Sequence, residues 1–555
     1  MYTVSDYLID VIKFMGNDHV FGVPGDYNLE FLDHIVDRND MTWVGNANEL
    51  NAAYMADGYA KKTGFAALVT TFGVGDLSSD NGLAGSLAEN VPVLSIVGAP
   101  KTENMDQKLL VHHTFGDGEF EKFTKMHEVM GLKVKDLTAQ NTVDDINEIV
   151  KYIIKTGKPA YLTLPIDVAK IPVNPSIKES FASIFNRDEE VTDFNDTIAE
   201  RLVQEINNAN YTLVLVGHEL KNRQLAHFIE RFVVNNNLLF TDLGLGKCAL
   251  NESLPQFIGT YSGALTDEPT KQIVDQADLV INFGAKLTDF VTSMFTQSFT
   301  EEKIINISND DFDFFGSHRD LIGDYSFYQV VKAISDKKLK KPLTNTVKLK
   351  PVSSATPSDK VLTQDFYDRA VINSIKPGQT LVAESGTSFS GLSPFTLPDN
   401  VDFSAQPLWA SIGYAFPSMI GGQLANNDSR HILSTGEGSL QLTIQELGTL
   451  IKHDLHPIML VIDNNGYTVE RLIHGMKKAY NDVAKLDYTL MPQAFGAKED
   501  QFMTFDVNTE TDLVDALNKA QSTEDKFVLI QVHMDQEDAP SSLTKMGEMI
   551  QNKNN

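Results

Sequence analysis

Glu437 and Asn464 are of types, and at a spacing, that could hold a metal ion beside a charged ligand. They lie in residues 436–470, GEGSLQLTIQELGTLIKHDLHPIMLVIDNNGYTVE. Residues 431–435 (HILST) form a short apolar run of strand type that ends at Gly436-Glu437-Gly438. A helical pattern follows, with Leu440, Ile444, Leu447 and Ile451 at spacings of three and four. Residues 458–462 (IMLVI) read as a second buried strand, which stops at Asp463-Asn464-Asn465-Gly466. The unit is strand–helix–strand, with a carboxylate at the first strand's carboxyl end and side-chain amides at the second's. Ligands of open α/β sheets collect at those ends. Glycines beside a helix N-terminus let backbone N–H groups approach a diphosphate, while Glu437 and Asn464 offer oxygens to Mg²⁺. A lone Gly-Glu-Gly is an ordinary turn; the acid–amide pair closing a βαβ unit points to a metal-diphosphate site.

The elements that must position these groups recur along the chain. Strand-like runs alternate with helical patterns three times over. They occupy residues 19–23, 65–70, 92–97 and 160–164, then 212–216, 238–241, 278–283 and 303–307, then 379–383, 431–435, 458–462 and 527–532. This order predicts an α/β protein of three Rossmann-like, doubly wound parallel-sheet domains, over residues 1–180, 195–340 and 355–555. Two stretches read as linkers: residues 171–196, polar and proline-punctuated before turning acidic, and residues 336–359, rich in Lys, Pro, Ser and Thr.

Length and composition agree. At 555 residues the chain exceeds what one core usually holds. With 46 basic and 75 acidic residues its formal charge is −29, which argues against nucleic acid or anionic membrane as partner. The one cysteine, Cys248, excludes a disulfide framework and fits a reducing compartment. The start, MYTVSDYLIDVI, lacks the basic region of a secretory signal, and no apolar run reaches the ~18 residues that cross a bilayer. A cytoplasmic location is expected.

Other residues gather chemistry. Glu49 opens an alanine-rich helical stretch after an Asn-containing turn, where a first-turn glutamate is favoured by the helix dipole. Asp26, in GVPGDYN between a strand and the helical pattern of residues 29–35, could cap that helix. His112 and His113 lie in a polar, glycine-containing region. Adjacent side chains are expected to point apart, so a shared metal would need a third ligand, and no HxxxH is near. Glu470 follows Gly466 by four residues and could be a surface glutamate. Thr71-Phe72-Gly73-Val74-Gly75 lacks the third glycine and the later acid of a dinucleotide fingerprint.

Five motifs in order resemble the thiamine-diphosphate-dependent 2-oxo acid decarboxylases of the branched-chain, indolepyruvate and pyruvate group. These are GVPGDYN, NELNAAYMADG, VHHT, LWASIG and the GEG to NNGYTVERLIHG unit. The resemblance implies an aminopyrimidine-binding, a central and a diphosphate-binding domain, with thiamine diphosphate and Mg²⁺ as cofactors. It implies that Glu49 hydrogen-bonds N1′ of the aminopyrimidine, and that Asp26, His112, His113 and Glu470 manage protons as a 2-oxo acid passes through ylide and enamine to an aldehyde and CO₂. It assigns the metal to Glu437, Asn464 and Gly466. Cofactor contacts fall to Thr71, Ala410, Ile412, Gly436, Gly438, Ser439, Asn464 and Tyr467, with Ile412 wedged between the two cofactor rings and the Ala410 carbonyl accepting from the 4′-amino group. The substrate wall would comprise Phe290, Ser385, Phe389, Val469, Met546 and Ile550, and suits aliphatic 2-oxo acids. Sites shared between subunits imply at least a homodimer, and the group suggests a homotetramer. The alternatives are a carboligase of acetolactate synthase type and a catalytically silent assembly or regulatory relative.

This chain departs from that pattern. Glu437 stands where aspartate is usual, Asp463 and Asn465 swap the usual amide and acid around Asn464, and Ala410 replaces a glycine. Cys248 does not fall at the position of the regulatory cysteine in substrate-activated members.

Overall fold

The continuous apolar runs become the inner strands of three six-stranded sheets in a computed structural model that describes residues 1–188, 190–317, 323–340 and 352–554. In spatial order the first sheet is Thr42–Gly45, His19–Gly22, Ala66–Thr71, Val93–Ala99, Ala160–Pro165 and Lys133–Asp136, all parallel. The second is Phe312–Phe314, Ile304–Ile307, Leu279–Phe283, Thr212–Val216, Leu239–Leu243 and Phe257–Tyr261. The third is Asp402–Ser404, Thr380–Ala383, His431–Gly436, Ile458–Asp463, Phe527–His533 and Phe502–Val507, again all parallel. Inner strands are buried on both faces, as helix-covered parallel sheets require.

One edge strand departs from the parallel arrangement of the three sheets. Phe312–Phe314 runs antiparallel to Ile304–Ile307. The connection 308–311 is a tight turn in which Ser308 N–H donates to the Asp311 carbonyl, far too short for the crossover a parallel pair needs.

Each sheet is wound in both directions from its first strand, which creates a switch point where the strand order reverses. In the first sheet it lies between His19–Gly22 and Ala66–Thr71, in the third between Thr380–Ala383 and His431–Gly436. The central sheet's switch point is filled by backbone. Gly217, after Thr212–Val216, packs so closely on the turn after Leu279–Phe283 that a Cβ there would sit 2.0 Å from the Gly284 carbonyl oxygen.

The chain divides into two compact units. One holds the N-terminal sheet with the separate segment Pro417–Asn426. That segment docks on the helix Glu49–Thr63, with Gly421 against the Met55 carbonyl and Gly58 against the Ser418 carbonyl. The other holds the second and third sheets, whose apolar faces share one core that includes Leu213, Leu239, Phe389, Leu381 and Ile462.

The expected linkers fare differently. The stretch 171–196 is in large part packed structure, because Phe181 and Phe185 are buried and Phe181 meets the Tyr7 ring edge-on at 5.7 Å. Residues 341–351 of the second linker lie outside the described residues. No described helix is long and apolar enough to cross a membrane.

Candidate active site

The first sheet's switch point gathers Asp26, Glu49, Thr71, His112 and His113. Asp26 follows strand His19–Gly22 and does not cap the next helix; Asn28 precedes Leu29–Val36, and its Oδ1 accepts from Gly25 N–H at 2.9 Å. The Asp26 carboxylate instead receives both histidines, His112 Nε2 at 2.7 Å from Oδ2 and His113 Nε2 at 3.6 Å from Oδ1. This corrects the expectation that adjacent histidines point apart. His113 takes a left-handed backbone (φ 60°), which turns its ring toward its neighbour's, 4.6 Å away. Gly73 makes room for that turn, since a Cβ there would lie 1.9 Å from the His113 carbonyl oxygen. The Phe72–Gly75 stretch is thus a packing device rather than half of a dinucleotide site.

Tyr27 was not foreseen. Its ring stacks on His112 at 4.9 Å, and its hydroxyl lies 3.4 Å from His112 Nδ1 and donates to the His112 carbonyl at 3.2 Å. It follows Asp26 in the same motif, which was the available signal. Burial and the Asp26 charge push its phenol above the ordinary value. Glu49 begins the helix Glu49–Thr63, whose N-terminus is closed by Asn48 Oδ1 accepting from Asn51 N–H at 2.8 Å. The half-buried Glu49 carboxylate lies over Gly75, where a Cβ would be 3.3 Å from Oε1. Thr71 Oγ1 is buried without a hydrogen-bond partner among the described residues.

In the second unit, Glu437 begins the helix Glu437–Thr443 directly after strand His431–Gly436. Its Oε1 accepts the backbone N–H of Gly466 at 2.6 Å, while Oε2 is buried with no hydrogen-bond partner among the described residues. Burial, only partly offset by the Gly466 N–H, pushes the carboxyl up to about 7. Asn464 Nδ2 donates to Thr468 Oγ1 at 2.9 Å, which fixes the amide and leaves its oxygen turned elsewhere. Arg471, itself buried, binds the Asn465 carbonyl at 2.8 Å and Asp482 at 2.6 Å and so clamps the turn.

The swapped residues have structural accommodation. Asp463 accepts from Gln531 Nε2 at 2.8 Å and pairs with His533 Nδ1 at 3.1 Å, both on strand Phe527–His533. Asn465 adopts a left-handed backbone (φ 65°), which asparagine tolerates. Ala410 stands at φ 55°, the reason glycine suits this place and a strain for alanine. Cys248 is partly buried in the central domain, its thiol 3.4 Å from Glu252 Oε1, and burial raises it well above the ordinary value.

A cavity of about 280 Å³ joins these elements, lined by Glu384, Ser385, Ile412, Gly436, Gly438, Ser439, Asn464, Gly466, Tyr467, Val469 and the exposed Glu470. The six expected wall residues divide between two cavities. Ser385 and Val469 line this one; Phe290, Phe389 and Met546 line a second of about 400 Å³, where the two phenylalanine rings lie 5.8 Å apart. Ile550, half-buried on the helix Ser541–Asn554, lines neither.

Glu384 is the residue that sequence reasoning passed over. It follows strand Thr380–Ala383 across the switch point from Glu437, and its buried carboxylate accepts the N–H groups of Ser385 at 3.0 Å, Gly413 at 3.1 Å and Ala415 at 3.2 Å. Burial pushes it up to about 7. Its place at a strand's carboxyl end was the same signal that identified Glu437.

Three α/β domains carrying polar groups at two switch points define a class, and family models match it in order. The chain fits the thiamine pyrophosphate enzyme N-terminal TPP binding domain over residues 2–120, the central domain over 199–334 and the C-terminal TPP binding domain over 392–532. It is 34% identical to an alpha-keto-acid decarboxylase of Mycobacterium leprae, with 100% of this chain and 96% of that protein covered. It is 35% identical to one of Mycolicibacterium paratuberculosis, with 98% and 96% covered. A solved structure, the Rhodococcus jostii thiamine diphosphate-dependent 4-hydroxybenzoylformate decarboxylase, shares the fold with a TM-score of 0.76 at 17% identity, covering 96% of this chain and 99% of that one. The chain belongs to the thiamine-diphosphate-dependent 2-oxo acid decarboxylase family.

Proposed function

We propose that this protein decarboxylates short aliphatic 2-oxo acids to aldehydes, using thiamine diphosphate and Mg²⁺, as a cytoplasmic homo-oligomer whose sites are each completed by a second copy of the chain. Decarboxylase character follows from the family; the preference, the metal, the location and the assembly are our reading. The observation that carries the reading is Glu437. One oxygen of its carboxylate accepts from Gly466 N–H and the other is buried without a hydrogen-bond partner among the described residues, with Asn464 at the neighbouring strand end. A divalent cation satisfies such an oxygen, and Gly436, where a Cβ would meet nothing within 4 Å, leaves space for a diphosphate. The residues present fit both groups.

When bound, thiamine diphosphate supplies the carbon nucleophile and the electron sink into which the carboxylate's electrons pass. The chain's own groups do the rest. Glu437, Asn464 and Gly466 would hold the metal, with Gly438, Ser439 and Tyr467 along the diphosphate. Glu49 would exchange a proton with N1′ of the aminopyrimidine, and Thr71, whose hydroxyl has no hydrogen-bond partner among the described residues, belongs to the same side. The Ala410 carbonyl would accept from the 4′-amino group and Ile412 would separate the rings. Asp26 draws the two imidazoles together, and His112 and His113 would deliver a proton to the reacting carbon. Glu470, exposed on the cavity wall, would share that task. Rapid protonation favours aldehyde release over capture by a second carbonyl, which supports a decarboxylase over a carboligase.

The test is a panel of 2-oxo acids, straight, branched and indolic, assayed for CO₂ and aldehyde with both cofactors present. Release greatest for chains of about three to six carbons is expected, from the apolar side chains of Phe290, Phe389 and Met546 in one cavity and of Val469 in the other. Acetohydroxy acids as the main product, or no CO₂ from any member, would overturn the proposal.

A further inference from the structure

We propose that Glu384 is a positioning residue for the cofactor, holding the backbone of residues 406–415 so that the Ala410 carbonyl and the Ile412 side chain are presented to thiamine diphosphate. The inference rests on the site reading given above and adds a residue outside it.

Three observations carry it. First, Glu384 and its neighbour grip both ends of one loop. Ser385 Oγ donates to the Gln406 carbonyl at 3.1 Å at the loop's start, and Glu384 Oε2 accepts from Gly413 and Ala415 at its end. Gly413 is held from the other side as well, its carbonyl accepting from Thr443 Oγ1 at 2.9 Å. Second, the loop between these points is strained at Ala410, whose φ is 55°, whereas the 89° of Gly413 is one that glycine adopts freely. A non-glycine residue persists there only where its surroundings over-determine it, and the hydrogen bonds from Glu384 and Ser385 do so. Third, the carboxylate is costly where it stands. It is 3% exposed, and burial pushes it up to about 7 although three backbone N–H groups donate to it and favour its charged form. A carboxyl retained at the switch point, with two of its bonds directed at the loop that carries Ala410 and Ile412, acts through that loop.

The test uses the full-length protein with thiamine diphosphate and Mg²⁺. Cofactor affinity is read by titration of the apo-protein, and C2–H exchange of the bound cofactor by quench and NMR. Glu384→Ala should raise the half-saturating cofactor concentration and slow C2–H exchange at saturation, each about tenfold, with KM for the 2-oxo acid little changed. Glu384→Gln keeps an acceptor oxygen for Gly413 and Ala415 and should recover most of the exchange rate. Glu384→Asp, one methylene short, should behave as the alanine variant does. An alanine variant with a lowered Tm but parental exchange at saturation would make the role merely structural and overturn the proposal. So would equal impairment of the glutamine, aspartate and alanine variants. Should the alanine variant not fold, the contrast of glutamine with aspartate decides. Glu49→Gln serves as control. Slow exchange there with parental exchange in the Glu384 variants defeats the role of Glu384 alone, whereas parental exchange in Glu49→Gln defeats the site reading itself.

Discussion

The backbone N–H of Gly466 donates to Oε1 of Glu437 at 2.6 Å and ties together the carboxyl ends of two adjacent parallel strands. The longer side chain of glutamate makes that bond while leaving Oε2 buried and without a hydrogen-bond partner among the described residues. Aspartate would hold its carboxylate ~1.5 Å further back, a large distance against Mg²⁺–oxygen contacts of about 2.0–2.1 Å. Apo-protein should therefore regain activity only with a divalent ion and thiamine diphosphate together. Glu437→Ala should lose that recovery, and Glu437→Asp should be active with altered cofactor affinity. Full recovery in the alanine variant, measured by CO₂ release after reconstitution, would place the metal elsewhere.

The same carboxyl gives a pH dependence of definite sign. Burial holds it protonated up to about 7 in the metal-free protein, and the proton must leave before a cation binds. Divalent-ion affinity should rise about tenfold per pH unit below pH 7 and level off above it, with about one proton released per ion. Calorimetry in buffers of different ionisation enthalpy measures that proton. In the metal-free protein a raised carboxyl favours folding below its unfolded value, and that contribution is lost as pH rises through about 7.

Ala410 offers a stability test. At φ 55° an alanine costs about 1 kcal/mol relative to glycine, so Ala410→Gly should raise stability by up to that amount if the loop keeps its shape. The greater freedom of glycine in the unfolded chain offsets part of the gain. Thermal unfolding of the holo-protein reports the balance. A drop of several degrees would show that the methyl packs usefully.

What the sequence disclosed and what it withheld follow from burial. The twelve strands read from apolar runs are the inner strands of the three sheets, and the six it missed are the sheet edges. Lys133–Asp136 and Phe502–Val507, half-covered edges, have too few buried positions to form an apolar run. Phe257–Tyr261 is buried all but for one position, and the glycine and threonine in it masked its strand character. The Glu437–Asn464 unit was legible because its chemistry sits in one strand–helix–strand stretch. The convergence of His112 and His113 on Asp26 was not, since it depends on the backbone angle of His113 and on a glycine far from it in sequence. Nor could residue matching reveal that the proposed substrate wall is split between two cavities.

That split sharpens the specificity prediction. Phe290 faces Phe389 and lines the larger cavity. Removing its ring should admit longer or branched chains, at roughly 0.8 kcal/mol per methylene accommodated. Phe290→Ser should raise the ratio of kcat/KM for a branched-chain 2-oxo acid over pyruvate by about tenfold or more. An unchanged ratio would show that the larger cavity does not receive substrate.

The most direct test of the whole account is C2–H exchange of bound thiamine diphosphate in Glu49→Gln. The amide preserves the size of the side chain that opens helix Glu49–Thr63 but cannot exchange a proton with N1′. The account predicts that this variant still binds cofactor and metal while exchange, followed by NMR after acid quench, slows by orders of magnitude. Exchange at close to the parental rate would contradict it.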